Sequence, residues 1–492
     1  MNSAHHDKKA VVIGAGLGGL ATACRLAHRG WSVTVLERAS QPGGKMNRLK
    51  RDGFTFDTGP SLVTMPWVFE SFFRDVGCEL RDHIELMPVH PLARYYFEDT
   101  APFDYSTQLP EWLDTVEEIE PNGAEHFLRF MTLGARLYEL SRHTFFKQSP
   151  RENPSLKDWR ALKYLPRRHG FSNYQRVINR FFRSPQLRQL FGRYATFVGS
   201  SPWRIPSTLS VIPYAEYAFG AWHIRGGLYR LIESIIHNLE QHRAEIHLNT
   251  SVGRILHESS RITGVETEAG AQYPADVVVM NGDAATTPGL LDGTRTALPQ
   301  DRRSMSGLVF LLGLNRRLEH VPHHSVYFSS DYRREFDDLF RHRRFPEEPT
   351  VYVNLPGRTD PEMSPPGGET MFVMANAPAN DGEAWDATAV ETARDKVYRR
   401  LARFGFPEFE KQIIVSEVIT PCHFAEQYGM PGGALYGAHS HGYRNAFLRP
   451  PNRNRRVSGL YHVGGSTHPG GGTPTVLLSS AITTNLIEEY HG

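Results

Sequence analysis

Cysteine is scarce: the chain has three in 492 residues. Cys24, Cys78 and Cys422 lie far apart and form no C-x-x-C pair. That spacing excludes a disulfide framework, and such sparing use fits a reducing cytoplasm. Excess charge is also lacking. The formal net charge is +2, from 55 basic and 53 acidic residues, so nothing demands a nucleic-acid partner. No run approaches the ~18 apolar residues of a spanning helix, so any meeting with a membrane is expected from its surface. The opening "MNSAHHDKKA" has no apolar core, and no signal peptide is expected. A Ser-His-Asp set, paired carboxylates and H-E-x-x-H spacing are all missing, and no metal site is expected. Internal repeats and low-complexity segments are missing too.

What is present is a large apolar complement. The chain is 40% hydrophobic and 11% aromatic, enough for a sizeable core in two or three domains. Residues 10 to 38 read "AVVIGAGLGGLATACRLAHRGWSVTVLER". Val11, Val12 and Ile13 look like a buried parallel strand. Gly14, Ala15, Gly16, Gly18 and Gly19 follow as G-x-G-x-x-G. Then come a helical run stopping at Gly30 and a second strand ending at Glu37. In this order the physics is specific. Gly14 permits the tight turn, Gly16 lets backbone approach a pyrophosphate, and Gly19 lets helix pack on strand. The helix N-terminus offers free N–H groups to phosphate, and Glu37 offers a carboxylate to ribose hydroxyls.

After Glu37 and Arg38 comes Gly43-Gly44-Lys45, then "FTFDTGPS" from Phe54 to Ser61. A Gly-Gly-basic turn here resembles the flavoprotein extension of this motif, in which a cation and bare backbone meet the pyrophosphate. The loop Gly59-Pro60-Ser61 would then stand near the flavin ring. Mid-chain, Trp222 to Ile255 reads as a strand, a Gly-Gly turn, an amphipathic helix from Leu228 to about His242, and a strand "EIHLNTSVGRI". Main chain around Val252 is expected beside the adenine. A hairpin around Gly270 and a buried strand, Val277 to Met280, follow. Near the C-terminus, "GLYHVGGSTHPGGGTPTVLLSSA" reads as a short strand, a glycine loop and a helix from about Thr475. A second helix N-terminus is thereby aimed at a charged or electron-rich group.

With these four elements in place, the chain resembles the bacterial-type phytoene desaturase family, which includes carotenoid and diapocarotenoid desaturases and terminal-methyl oxidases. The carrying text is "VVIGAGLGGLATACRL", "PGGKMNRLKRDGFTFDTGPSLVTMP", "TFVGSSPWRIPS", "GAWHIRGGLYRL", "GGALYG" and "LYHVGGSTHPGGGTPTVLLSSA". The resemblance spans essentially the whole chain. It implies an α/β fold: a Rossmann-like FAD-binding domain of the glutathione-reductase/amine-oxidase type, with a mixed α+β substrate domain. It further implies non-covalent FAD and a long apolar isoprenoid substrate taken from the membrane. By this resemblance Gly465, Ser466, Thr473, Pro474 and Thr475 join the flavin contacts. The triple glycine, "VGSS" and "GALYG" lean toward the branches acting late in the pathway, on hydroxycarotenoids or terminal methyl groups.

The implied activity is FAD-dependent desaturation of a carotenoid or diapocarotenoid. A terminal-methyl oxidase and a prenyl-lipid carrier of the same fold are the alternatives. Flavin would take a hydride, and the protein would position the polyene and exclude water. His468, inside the glycine loop, either assists proton removal or hydrogen-bonds backbone, and the second role is favoured. Asp57 is expected to tie down its loop. The basic, aromatic stretch between Lys147 and Arg193 suits either an anionic lipid surface or a helical domain with an aromatic core. The expected location is the cytoplasmic face of a membrane, bound peripherally. The FAD-binding domain is expected over 1–90, 222–290 and 431–492, and the substrate domain over 91–221 and 291–430. Within the latter, 110–220 should be mainly helical, and 357–368 should be a surface turn.

Overall fold

The computed structural model describes residues 8–152, 172–242, 244–294, 298–379, 385–406 and 408–492. The β-branched run at the start forms the strand Lys9–Ile13, the centre of a five-stranded parallel sheet. Ser32–Leu36 and Glu245–His247 lie on one side of it, Val277–Met280 and Leu460–His462 on the other. Residues far apart in the chain thus share one sheet. The helices Leu17–His28, Tyr229–Gln241 and Thr473–His491 pack together on one face of it, around Leu20, Leu26, Ile232 and Leu477, all fully buried. Gly30, at φ +86°, takes the chain out of the first helix in the left-handed region that suits glycine.

A second, seven-stranded sheet runs in the order Ile413–Ile419, Ser306–Leu314, Glu369–Ala377, Val351–Asn354, His324–Tyr327, Ala93–Phe97, Thr100–Tyr105. Its pairings are antiparallel except that of His324–Tyr327 with Ala93–Phe97. Ser306–Leu314 is buried at every position, as its unbroken apolar text "SGLVFLLGL" requires. Among the described residues of 109–219 lie the helices Leu109–Ile119, Gly123–His143, Tyr174–Phe181, Pro185–Arg193 and Val211–Phe219, in line with the mainly helical reading.

Three readings need adjustment. The text "EIHLNTSVGRI" is two strands, Glu245–His247 and Val252–Glu258, because Asn249 takes a left-handed turn at φ +52° between them. The stretch 357–368 is not simply a surface turn. Asp360 is fully buried and Met363 nearly so, and Asp360 accepts a hydrogen bond from the Gly226 N–H at 2.6 Å. Part of the basic, aromatic stretch, 153–171, lies outside the described residues. Beyond it, Phe182 and Phe191 stack at 4.6 Å inside the core, so these aromatics are core residues.

Candidate functional site

The glycine fingerprint is shaped by what surrounds it. A Cβ on Gly19 would stand 2.2 Å from the Gly14 carbonyl oxygen, so only glycine lets this helix start against its strand. Beneath the turn lies Asn281, whose Nδ2 donates to the Gly14 carbonyl at 3.2 Å. Side chains at Gly16 or Gly18 would collide with it, at 2.9 and 2.8 Å. Sequence reading passed over Asn281, although it directly follows the buried strand Val277–Met280. The Gly43-Gly44-Lys45 turn lies against the fingerprint. The Gly43 N–H donates to the Ala15 carbonyl at 2.8 Å, and a Cβ on Gly44 would meet the Gly16 Cα at 3.2 Å. Bare backbone from two glycine motifs therefore forms one surface.

Glu37 ends that surface. Its carboxylate accepts from the Ala15 N–H at 2.6 Å and the Ala39 N–H at 2.9 Å. Arg38 donates to the carbonyls of Glu426 (2.6 Å) and Gln427 (3.1 Å) at the end of the helix Pro421–Tyr428. The two helices whose N-termini meet here, Leu17–His28 and Thr473–His491, both begin after a glycine with no side-chain cap. Their first N–H groups and positive dipole ends remain available to an anion, at about 0.3–1 kcal/mol each.

These segments line a single cavity of about 1330 Å³. That exceeds the roughly 300–1,000 Å³ of an ordinary small-ligand site, and leaves room for a cofactor and a second long molecule. Of the residues the sequence singled out, Gly14, Gly16, Gly18, Glu37, Arg38, Gly43, Gly44, Lys45, Gly59, Pro60, Ser61, Val252, Gly465, Ser466, Thr473, Pro474 and Thr475 line it. Ala15 and Gly19 stand behind the wall as spacers. Val463 and Val476 approach a Cβ position on Gly18 within 3.2 and 3.1 Å, so the C-terminal segment lies directly beside the fingerprint.

His468 lies elsewhere. It is fully buried, does not line the cavity, and its Nε2 pairs with the Phe145 carbonyl at 2.7 Å. Burial pushes its pKa down to about 4, so the ring is neutral at ordinary pH. Asp57 ties more than its own loop. It accepts from the N–H groups of Leu228 (2.9 Å) and Tyr229 (3.3 Å), and so caps the helix Tyr229–Gln241 from a distant strand.

Two charged residues that sequence reading missed, Asp283 and Arg449, complete the wall beside the expected Lys45. Lys45 Nζ donates to the Leu435 carbonyl at 2.6 Å, and burial pulls its pKa down to about 8 against the attraction of Asp283. Asp283 is buried, with one carboxylate oxygen accepting from the Ala285 N–H and the other without a partner. Arg449, also buried, donates to the Gly465 carbonyl at 3.3 Å and to Ser440 Oγ at 3.1 Å. The glycine surface, two uncapped helix starts, a terminal carboxylate and an orphaned acceptor that needs a hydroxyl donor all fit the diphosphate, ribose and polyol of FAD. Farther along, the cavity wall turns apolar, with Leu137, Leu140, Phe146 and Ile212 from the helical layer.

Comparison with known proteins agrees with this geometry. The model of the family "Flavin containing amine oxidoreductase" matches residues 17–487. A zeta-carotene-forming phytoene desaturase of Myxococcus xanthus is 34% identical, over 98% of this chain and 94% of its own. A 1-hydroxycarotenoid 3,4-desaturase of Flavobacterium sp. (strain P99-3) is also 34% identical, over 98% and 99%. A solved oxidoreductase from Methanosarcina mazei shares the fold at a TM-score of 0.65, with 19% identity over 98% of this chain and 100% of that one. Full-length matches of this kind exclude the carrier alternative and make FAD the cofactor. The chain belongs to the flavin containing amine oxidoreductase family, in its branch of carotenoid desaturases and oxidases.

Proposed function

We propose that this protein desaturates a long acyclic carotenoid or diapocarotenoid, with FAD bound non-covalently along the glycine surface. The observation that carries the reading is the convergence of two uncapped helix N-termini and two glycine motifs on a cavity whose far wall is apolar. In this reading the fingerprint and Lys45 hold the diphosphate, Glu37 the ribose, and Asp283 a polyol hydroxyl. Gly59–Ser61 and Gly470–Thr475 border the flavin ring. Bound flavin supplies a hydride acceptor. The chain's own residues bind the polyene, orient it and keep water out. A hydrocarbon gives no polar handle, so the aliphatic and aromatic wall holds it at ~0.8 kcal/mol per buried methylene. His468 serves this site by fixing the glycine loop against Phe145.

Residues 1–90, 222–290 and 431–492 act as the cofactor-binding part, and 91–221 with 291–430 as the substrate part. Among the described residues no helix is long and apolar enough to cross a membrane. We take the enzyme to meet its lipid-soluble substrate as a peripheral protein on the cytoplasmic face. The test is expression and purification, then incubation with vesicles carrying acyclic polyenes. A yellow protein that converts one of them to a product lacking two hydrogens supports the reading. A product with one more oxygen and an aldehyde group overturns desaturation in favour of terminal-methyl oxidation. A colourless protein that takes up no FAD overturns both.

A further inference from the structure

The two relatives named above differ in whether their names give the polyene a hydroxyl, and the cavity wall of this chain bears on that difference. Among the described residues, the helices that line the cavity bring two charged side chains to it, Arg193 and Glu216. Arg193 ends the helix Pro185–Arg193, and its guanidinium lies over the rings of Phe197 at 5.4 Å and Tyr352 at 5.7 Å. Glu216, on the helix Val211–Phe219, is 6% exposed and accepts a hydrogen bond from the Tyr194 hydroxyl at 2.5 Å. Tyr194, whose hydroxyl meets Glu216, directly follows Arg193 in the chain, and both charged residues line the same cavity. A hydrocarbon offers neither of them a partner. Tyr194 serves one oxygen of Glu216 and the Tyr95 hydroxyl stands beside Arg193, so covering the pair with methylenes would cost the remaining polar edges their water with no new hydrogen bond in return. The pair also has a definite place. Tyr352, under Arg193, has its hydroxyl 2.6 Å from Ser61 Oγ, on the loop Gly59–Ser61. The charged pair therefore stands at the side of the cavity bordered by that loop, not at a remote mouth.

We propose that Arg193 and Glu216 hold a hydroxyl group near one end of an acyclic polyene, so that the bond oxidised lies within a few carbons of that oxygen. Arg193 donates to the hydroxyl oxygen and Glu216 accepts its proton in a hydrogen bond. A carbonyl would satisfy only Arg193, and a hydrocarbon neither. This rests on the reading of the protein as a flavin-dependent polyene oxidoreductase, and adds the residues that select the substrate's end group.

The experiment uses the FAD-loaded protein and variants Arg193→Met, Arg193→Lys and Glu216→Gln. Each is mixed with vesicles of a forty-carbon acyclic polyene alcohol or of the hydrocarbon with the same skeleton. Two ratios of alcohol to hydrocarbon are read: polyene retained by the protein after gel filtration, and kcat/KM. Retained flavin absorbance verifies that each variant is folded. The wild type should prefer the alcohol about tenfold or more, as a hydrogen bond to a charged group allows. Arg193→Met and Glu216→Gln should bring both ratios toward one, and Arg193→Lys should keep most of the preference. Equal retention of both polyenes by the wild type would overturn the proposal. So would an Arg193→Met variant that weakens both substrates alike and keeps the ratio. If the yellow wild type retains the alcohol preferentially but oxidises neither polyene, the anchor stands and the oxidative reading falls.

Discussion

Gly59 leaves no room for a methyl group: a Cβ there would stand 1.9 Å from the Lys45 carbonyl oxygen. Gly59→Ala should destabilise the protein by about 1–3 kcal/mol and lower the flavin that co-purifies, read by denaturant unfolding and by visible absorbance. Lys45 gives a second outcome. Burial lowers its pKa to about 8 from 10.5, so between those values the empty protein holds it neutral. An anionic diphosphate beside it favours the charged form, and binding must then take up a proton. FAD affinity should fall as pH rises above about 8, by at most tenfold per unit. Lys45→Met should flatten that profile and bind more weakly at neutral pH, as a flavin-fluorescence titration would reveal. Glycines such as Gly14 and Gly43 were legible in sequence because a missing side chain at fixed spacing has few other uses. Asn281, Asp283, Arg193 and Glu216 were not, because their roles depend on neighbours that only the folded chain supplies.

At the scale of elements, the strand Phe54–Asp57 and the helix Tyr229–Gln241 are joined through the Asp57 carboxylate. Removing this cap in Asp57→Ala should cost about 0.5–2 kcal/mol and loosen the Gly59–Ser61 loop that follows, so flavin content should drop with stability. Asp57→Asn keeps an acceptor and should lose less. Unchanged urea midpoints in both variants would refute the capping role. The first strand, helix and second strand could be read directly, since β-branched runs and glycine stops alternate at the right lengths. The reading of "EIHLNTSVGRI" as one strand failed at Asn249, whose left-handed turn leaves no mark on an apolar pattern. Asp57 was correctly seen as structural, but its partner is 171 residues away and no local pattern reports it.

Across the whole molecule, buried neutral histidines set an acid limit. Burial lowers His324 to about 3, and His462 and His468 to about 4, all below the ordinary value of 6.5. The unfolded chain binds the extra protons between those values, so stability is full above about pH 6.5 and is lost as pH falls toward 4. Each group contributes up to ~1.4 kcal/mol per pH unit over that span. Urea midpoints should therefore be lower at pH 5 than at pH 7, and a midpoint that holds steady or rises would contradict this. The α/β architecture was legible as a whole because the cofactor-binding text recurs in order along the chain. The burial of Asp360 was not, since a Pro- and Gly-rich stretch looks the same in solvent and beneath the Gly226 backbone.

The parallel sheet has a consequence for biosynthesis. Its strand Leu460–His462 and the helix Thr473–His491 lie far along the chain from the glycine fingerprint, yet the strand joins the same sheet and the start of the helix lines the cavity. A nascent polypeptide still short of Leu460 has already exposed its whole glycine fingerprint to the cell, with half of the cradle unbuilt and one sheet edge open to wrong partners. On the proposed reading, flavin capture follows the folding of that later segment, and flavin shortage would be felt by folded, colourless chains awaiting their pigment.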